Sequence, residues 1–139
     1  MQKSIGMPIA PRYLITVDNE LLHRNAHPTF VDNGRPSSQV FCLTEDDRGQ
    51  LSTQQNSKAS AEVAYQRYTA RGLQSCGIWS VTILECKSLD LSAYDDPVID
   101  DNSHAVIDLT AFNNSQARKR TNTLAANARS RGCQYKALE

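Results

Sequence analysis

The chain has 139 residues, 40% of them apolar and 22% charged, with 15 basic side chains against 15 acidic ones and a formal net charge of zero. That length suffices for one domain with a real hydrophobic core, and the balance argues against a disordered chain, a fibre, or a global field that would draw it to nucleic acid or membrane. No apolar run approaches the roughly 18 residues needed to cross a bilayer, and Pro8, Pro11 and Arg12 interrupt the N-terminal apolar residues, so the expectation is a soluble, cytoplasmic protein without an export signal.

Residues 1–12 read as irregular, because Gly6, Pro8 and Pro11 fall within a few positions. Residues 13–17, rich in β-formers, predict a short strand, and 19–23 a helical turn that must end before Pro28. The run Asp32-Asn33-Gly34-Arg35-Pro36 predicts a tight turn, since Asn-Gly accepts positive φ and Pro36 restricts the backbone at its exit. Residues 39–44 predict a core strand and 45–50 a polar turn. Ser60 is placed to cap a helix over 61–71 stopped by Gly72, with Ala61, Ala64, Tyr65 and Tyr68 on one face.

Residues 77–83, β-branched and aromatic, predict a strand; 84–91 predict a single helical turn, 94–103 an acidic loop and 104–109 another strand. The last element is a helix over 115–131, capped by Asn114 or Ser115 and stopped by Gly132, with Ala117, Thr121, Leu124, Ala125 and Ala128 facing inward. Strands and helices are neither alternating nor segregated. The order predicts a single compact α+β domain over 1–139, a mainly antiparallel sheet of about four or five strands with two principal helices.

Cys42, Cys76, Cys86 and Cys133 are widely spaced with no CxxC pair, which predicts free, mostly buried thiols and no metal site. Charge is uneven along the chain. Seven acids stand against Lys87 alone over 85–108, whereas 118–136 carries six bases and no acid. Either the acidic loop and the basic helix neutralise each other, or Arg118, Lys119, Arg120, Arg129 and Arg131 form a basic face for a protein partner, RNA or DNA. Arginines in the first turn oppose the helix dipole, which hints that they answer to another group.

The densest chemistry lies in residues 23–52. His23 and His27, with Asp32 or His104, have the number of donors for a metal, but no Glu lies between them and Pro28 interrupts the helix they would need, so hydrogen-bonding roles are expected. Glu45-Asp46-Asp47 reads as a solvated turn. The segment Gly34–Gln39 suits an anion: Arg35 supplies a guanidinium fork, and Ser37 and Ser38 supply hydroxyls. With His23, Arg24, His27 and Ser52 they make the candidate set for a small phosphorylated ligand. The plainer reading has Arg35 paired with Asp46 or Asp47 in a turn entering a strand. A Cys86–His104 nucleophile pair competes with a satisfied core cysteine, the favoured reading.

The run HP-x5-GRPSSQ-x-F from His27, with Leu51-Ser52, Ala64-Tyr65, Glu85-Cys86 and HAVID at 104–108, resembles a set of small bacterial proteins without assigned activity, over roughly residues 21–135. The resemblance implies a bacterial or phage origin. His27-Pro28, Asn33-Gly34 and Cys42-Leu43 resemble ubiquitin-conjugating enzymes, which would make Cys42 an acceptor thiol, but Thr29 replaces their Asn and no Trp-Ser-Pro comes after. The order His23-Arg24, Leu51-Ser52, helix 61–71, strand 78–83 resembles ADP-ribosyltransferase-like domains and implies a nicotinamide cleft, without their Q/E-x-E motif. The leading expectation is a partner-binding or accessory, immunity-type module acting through the basic helix and acidic loop. The alternatives are a nucleotide- or phosphate-binding enzyme or sensor centred on 23–52, and RNA or DNA binding by the C-terminal helix. No catalytic residue or cofactor is assigned.

Overall fold

In the computed structural model, residues 12–42 and 48–137 are described. The expectations for 1–11 and for 43–47, including the Arg35–Asp46 or Arg35–Asp47 pair, fall outside them. The strands are β1 (Tyr13–Leu14), β2 (Leu21–Asn25), β3 (Val31–Asp32), β4 (Arg35–Pro36), β5 (Gln50–Gln55), β6 (Gly77–Thr82), β7 (Ser92–Asp95), β8 (His104–Asp108) and β9 (Tyr135–Lys136). The helices are α1 (Ala61–Ala70), α2 (Ile83–Lys87) and α3 (Asn114–Arg131). The class is α+β as the element order predicts, but the strand number is corrected. Seven strands form one sheet in the order β1-β7-β8-β5-β2-β6-β9, and β3-β4 make a separate hairpin.

Every pairing in the large sheet is antiparallel. Cross-strand partners share a face, so the register sorts the side chains. Leu22 lies opposite Val81, Arg24 opposite Trp79, Leu51 opposite Ile107, and Thr53 opposite Ala105. These residues look toward α3, and the apolar ones among them form the main core with Phe41, Val40, Leu124, Ala125 and Ala128. His23 opposite Ser80, Asn25 opposite Ile78, and Gln54 opposite His104 look the other way. There α1 packs on β2 and β6.

α3 keeps the inner face its spacing predicts: Ala117, Thr121, Leu124, Ala125 and Ala128 are its buried residues. Their small volume lets the helix axis approach the sheet. The cap is Asn113, one residue earlier than expected, because Gln116 reaches back to the Asn113 amide and completes a reciprocal box. Ser60 caps α1 as expected, its Oγ accepting from the Val63 amide at 3.2 Å. Of the α1 stripe only Ala64 is buried; Tyr65 lies against the Tyr135 ring at 5.1 Å.

Two local expectations are overturned, and one inner strand goes unanticipated. In place of a helical turn over 19–23, residues 21–25 form an inner strand, because pairing with β5 on one side and β6 on the other outweighs weak local preference. Polar β5, whose first residue closes the expected 45–50 turn, is an inner strand whose Thr53, Gln54 and Gln55 find partners in the Ala105 carbonyl, Asp101 and Asp95. The core strand expected over 39–44 is absent from its described part. A 3-10 turn, Ser38–Phe41, stands there instead. Val40 and Phe41 are adjacent and both buried, and a strand would point them to opposite faces; the turn wedges both against α3 and β2.

The C-terminal strand β9 depends on a glycine. A Cβ on Gly77, whose φ is +154°, would sit 2.6 Å from the Tyr135 carbonyl oxygen. Gly77→Ala is expected to destabilise the protein by about 1–3 kcal/mol in urea unfolding, with amide-exchange protection lost first around 135–137. Unchanged protection there would remove β9's close approach as the cause.

Candidate functional site

The inner strand β2 sets the geometry. On its α3 side, half-buried Arg24 donates from Nε to the Val40 carbonyl at 2.7 Å and from Nη1 to the Ser52 carbonyl at 2.8 Å. It ties the 3-10 turn to β5. On the other face His23 is 1% exposed, with Nε2 3.0 Å from Asn56 Oδ1 and Nδ1 2.7 Å from Ser80 Oγ. Asn56 Oδ1 only accepts, so Nε2 carries the proton and Ser80 donates to Nδ1. The hydroxyl–imidazole–amide row has the order of a nucleophile relay, yet Ser80 is fully buried, so no substrate reaches it. The row is structural.

His27 caps the 3-10 turn Pro28–Phe30, its Nδ1 accepting from the Thr29 amide at 3.1 Å. Ser37 caps the next turn through the Gln39 amide at 3.2 Å. The candidate ligand set therefore does not converge as a whole. Arg24 and Ser52 meet in a clamp, His23 lies behind the sheet, His27 caps a turn, and Ser38 sits in the turn Ser38–Phe41. Arg35 and Ser37 do come together, around a concavity of about 350 Å³ that Asp32, Asn33, Pro36 and Arg129 complete. Sequence reasoning assigns Arg129 to the basic face of α3 and misses that it joins them.

The bases of α3 divide by helical phase. Eleven residues make close to three turns, so Arg120 and Arg131 share one edge and Arg118 and Arg129 another. Arg120 donates from Nε to the Leu89 carbonyl at 2.8 Å and lies over the Phe112 ring at 3.9 Å. Arg131 forks onto Glu85 at 2.9 and 2.8 Å and also reaches the Ser80 carbonyl. Burial alone would raise the Glu85 pKa; the Arg131 guanidinium and the Thr82 bonds outweigh it and hold the carboxyl below its usual value. This edge staples α3 to α2 and β6.

The opposite edge borders the hairpin. Arg129 donates to the Pro36 carbonyl at 3.1 Å. Arg118 and Arg48 line a second concavity of about 540 Å³ with Cys42, Thr110, Phe112 and Asn114, among others. Arg118 and Lys119 are exposed.

Of the expected mutual neutralisation between the acidic stretch 85–108 and the basic helix, only the Glu85–Arg131 pair forms among the described residues; the acids of the loop itself pair elsewhere. Asp95 pairs with Lys58 at 3.0 Å, Asp96 with Arg12 at 3.1 Å, and Asp101 with Arg67 at 3.1 Å. Asp101 also accepts from the Ser103 hydroxyl and amide. Asp96 faces His104 at 3.2 Å; burial would raise its pKa, but His104 and Arg12 prevail and lower it. Cys86 is buried in the core and pushed up to about 12, chiefly by burial. With His104 engaged by Asp96, the core-cysteine reading holds.

No family model, no curated protein and no solved structure matches the chain.

Burial lowers the His23 pKa from its ordinary 6.5, against smaller raising contributions from Asn56 and Glu20. The unfolded chain then binds more protons than the folded one below pH 6.5, so this stabilisation is complete above that pH and is lost as pH falls through the lowered folded value. The Asp96 and Glu85 contributions, lowered from 3.8 and 4.5, fade only in a more acidic window. In an NMR titration the His23 ring should be more than half neutral at pH 6.5, and urea midpoints should fall between pH 7 and pH 5. A ring half-protonated at 6.5 would contradict its enclosure.

Proposed function

We propose that the protein is a partner-binding module whose receiving surface is the N-terminal half of α3, carrying Arg118 and Lys119, together with Arg48 across the concavity. The occupant it fits is an acidic protein segment. One observation carries the reading: the acidic loop is occupied by Arg12, Lys58 and Arg67, so it does not cover α3. The side chains of Arg48, Arg118 and Lys119 have no ion pair or hydrogen-bonded partner among the described residues. Cations left uncovered on a chain of zero net charge form a local field that steers an acidic partner and fixes its register.

A protein segment fits this edge better than single-stranded nucleic acid. Base stacking needs an open aromatic face, and the Phe112 ring beside this surface is already covered by Arg120. No helix among the described residues is long and apolar enough to cross a membrane. Cys42 at the concavity wall is half-buried in a lining of mixed polar and apolar residues, a wall position that needs no acceptor-thiol role.

The test uses a fluorescein-labelled oligo-glutamate peptide and anisotropy at low salt. The double variant Arg118→Glu with Lys119→Glu should bind about tenfold more weakly or worse, since each lost rim pair is worth up to about 1 kcal/mol and becomes a repulsion. Its melting temperature should not change. Arg71→Glu, exposed at the end of α1, should bind like the parent. Equal binding by the double variant would sink the reading, and tighter capture of single-stranded DNA than of the peptide would move it to nucleic acid.

A further inference from the structure

At the other end of α3 the geometry points to a second, separate site: the concavity between the β3–β4 hairpin and Arg129 takes a single phosphate monoester, held between the guanidinium forks of Arg35 and Arg129 and the hydroxyl of Ser37. It goes beyond the acidic-segment reading and uses none of its residues.

The two arginines come from opposite ends of the chain and meet only in the fold. Arg129 is set in place by one bond, from Nη1 to the Pro36 carbonyl, which leaves the other edge of its fork for a ligand. Arg35 stands next to that proline and has no partner among the described residues. Ser37 Oγ already accepts from the Gln39 amide, so its remaining role is to donate its proton. Two forks and a hydroxyl around one hollow match the several oxygens of a tetrahedral oxyanion, whereas a carboxylate fills one fork.

The frame is fixed before any ligand arrives. Asn33 and Gly34 turn the hairpin with φ of 52° and 78°, and the Ser37 amide donates to the Phe30 carbonyl at 2.7 Å. Pro36 is buried against α3, so the hairpin cannot swing away cheaply.

Asp32 decides the ligand class. It lies opposite Arg35 in the hairpin register, lines the same hollow, and is not ion-paired to Arg35. Its carboxylate leaves the hollow with one net positive charge, which meets part of a monoester's charge and a smaller share of a di- or triphosphate's. It also offers an acceptor to a hydroxyl or amide beside the phosphate. The volume, about 350 Å³, exceeds that of a bare ion and leaves room for the attached organic group. A phosphorylated side chain of a partner and a small sugar phosphate share this chemistry.

The experiment is an NMR titration of the full chain, following backbone amides and arginine Nε–H signals. The probes are O-phosphoserine, a short phosphoserine peptide, its unphosphorylated twin, glucose 6-phosphate, ATP and sulfate. The expected result is saturable millimolar-or-tighter shifts at Gly34, Ser37 and the side chains of Arg35 and Arg129 with the monoesters alone. Arg35→Gln should lose at least tenfold in affinity with an unchanged melting temperature, since Arg35 holds no other described residue in place. Arg118→Glu with Lys119→Glu should titrate like the parent, so this site and the acidic-segment surface fail separately. Tighter binding of the phosphopeptide than of free O-phosphoserine assigns the phosphate to a partner protein; tighter binding of glucose 6-phosphate assigns it to a small molecule. No shifts with any monoester, or equal shifts with sulfate and ATP, would overturn the proposal.

Discussion

A strand in the middle of a sheet, covered on both faces, cannot leave a polar side chain without a partner, and β2 carries three in a row: His23, Arg24 and Asn25. Each has drawn another part of the chain to it. Arg24 collects the Val40 and Ser52 carbonyls, which fixes the 3-10 turn Ser38–Phe41 over the sheet and seats Phe41 in the core. His23 requires the Ser80 hydroxyl from β6 and the Asn56 amide just beyond β5. Asn25 reaches the Ala64 carbonyl of α1 at 3.5 Å through its amide nitrogen. An apolar β2 would need none of these bonds. The polar one binds four neighbouring elements into a single arrangement, because any other register would strand a charge or an imidazole.

This dependence explains which parts of the fold are legible in the sequence. The inner face of α3, the Ser60 cap and the Asn33-Gly34 turn are local patterns, each decided within a few residues, and they stand where the pattern puts them. β2 and β5 are decided across the sheet. Leu-Leu-His-Arg-Asn has no strand alternation that a window can detect, and Gln-Leu-Ser-Thr-Gln-Gln looks like loop composition until Asp95, Asp101 and Ala105 are placed beside it. The strand expected over 39–44 fails over its described residues, 39–42, for the opposite reason. Val-Phe-Cys-Leu is apolar enough, but a run whose adjacent residues are both buried against one side favours a turn over an extended strand.

The site is legible by halves. Arg35 and Ser37 stand out because a glycine, a proline and hydroxyls surround a cation. Their third member lies more than ninety residues away, and no local motif announces it. A signal does exist in the spacing. Arg118 and Arg129, like Arg120 and Arg131, are eleven residues apart, and on a helix that interval places each pair along one edge. Taken as two pairs rather than one basic run, these four arginines divide between an edge facing α2 and an edge facing the hairpin. Of the other candidates, His23, Arg24 and His27 are chemically capable side chains that the fold uses to hold itself together, and Ser52 takes part through its backbone carbonyl.

How the arginines are anchored then decides where charge remains. Arg24, Arg120 and Arg129 donate to backbone carbonyls of Val40, Ser52, Leu89 and Pro36. A carbonyl holds a guanidinium in position without cancelling its charge. Around the acidic loop the opposite solution prevails, and Asp95, Asp96 and Asp101 meet Lys58, Arg12 and Arg67 as ion pairs that cancel. A chain with 15 cations and 15 anions is therefore not electrically uniform. Arg120 and Arg129 on α3 are fixed but not neutralised, while the loop's charges are fixed and neutralised together. At the hollow beside the hairpin, Arg129 therefore offers a position held rigid with its charge intact, since the ordering of that side chain has already occurred on folding and does not weaken binding a second time.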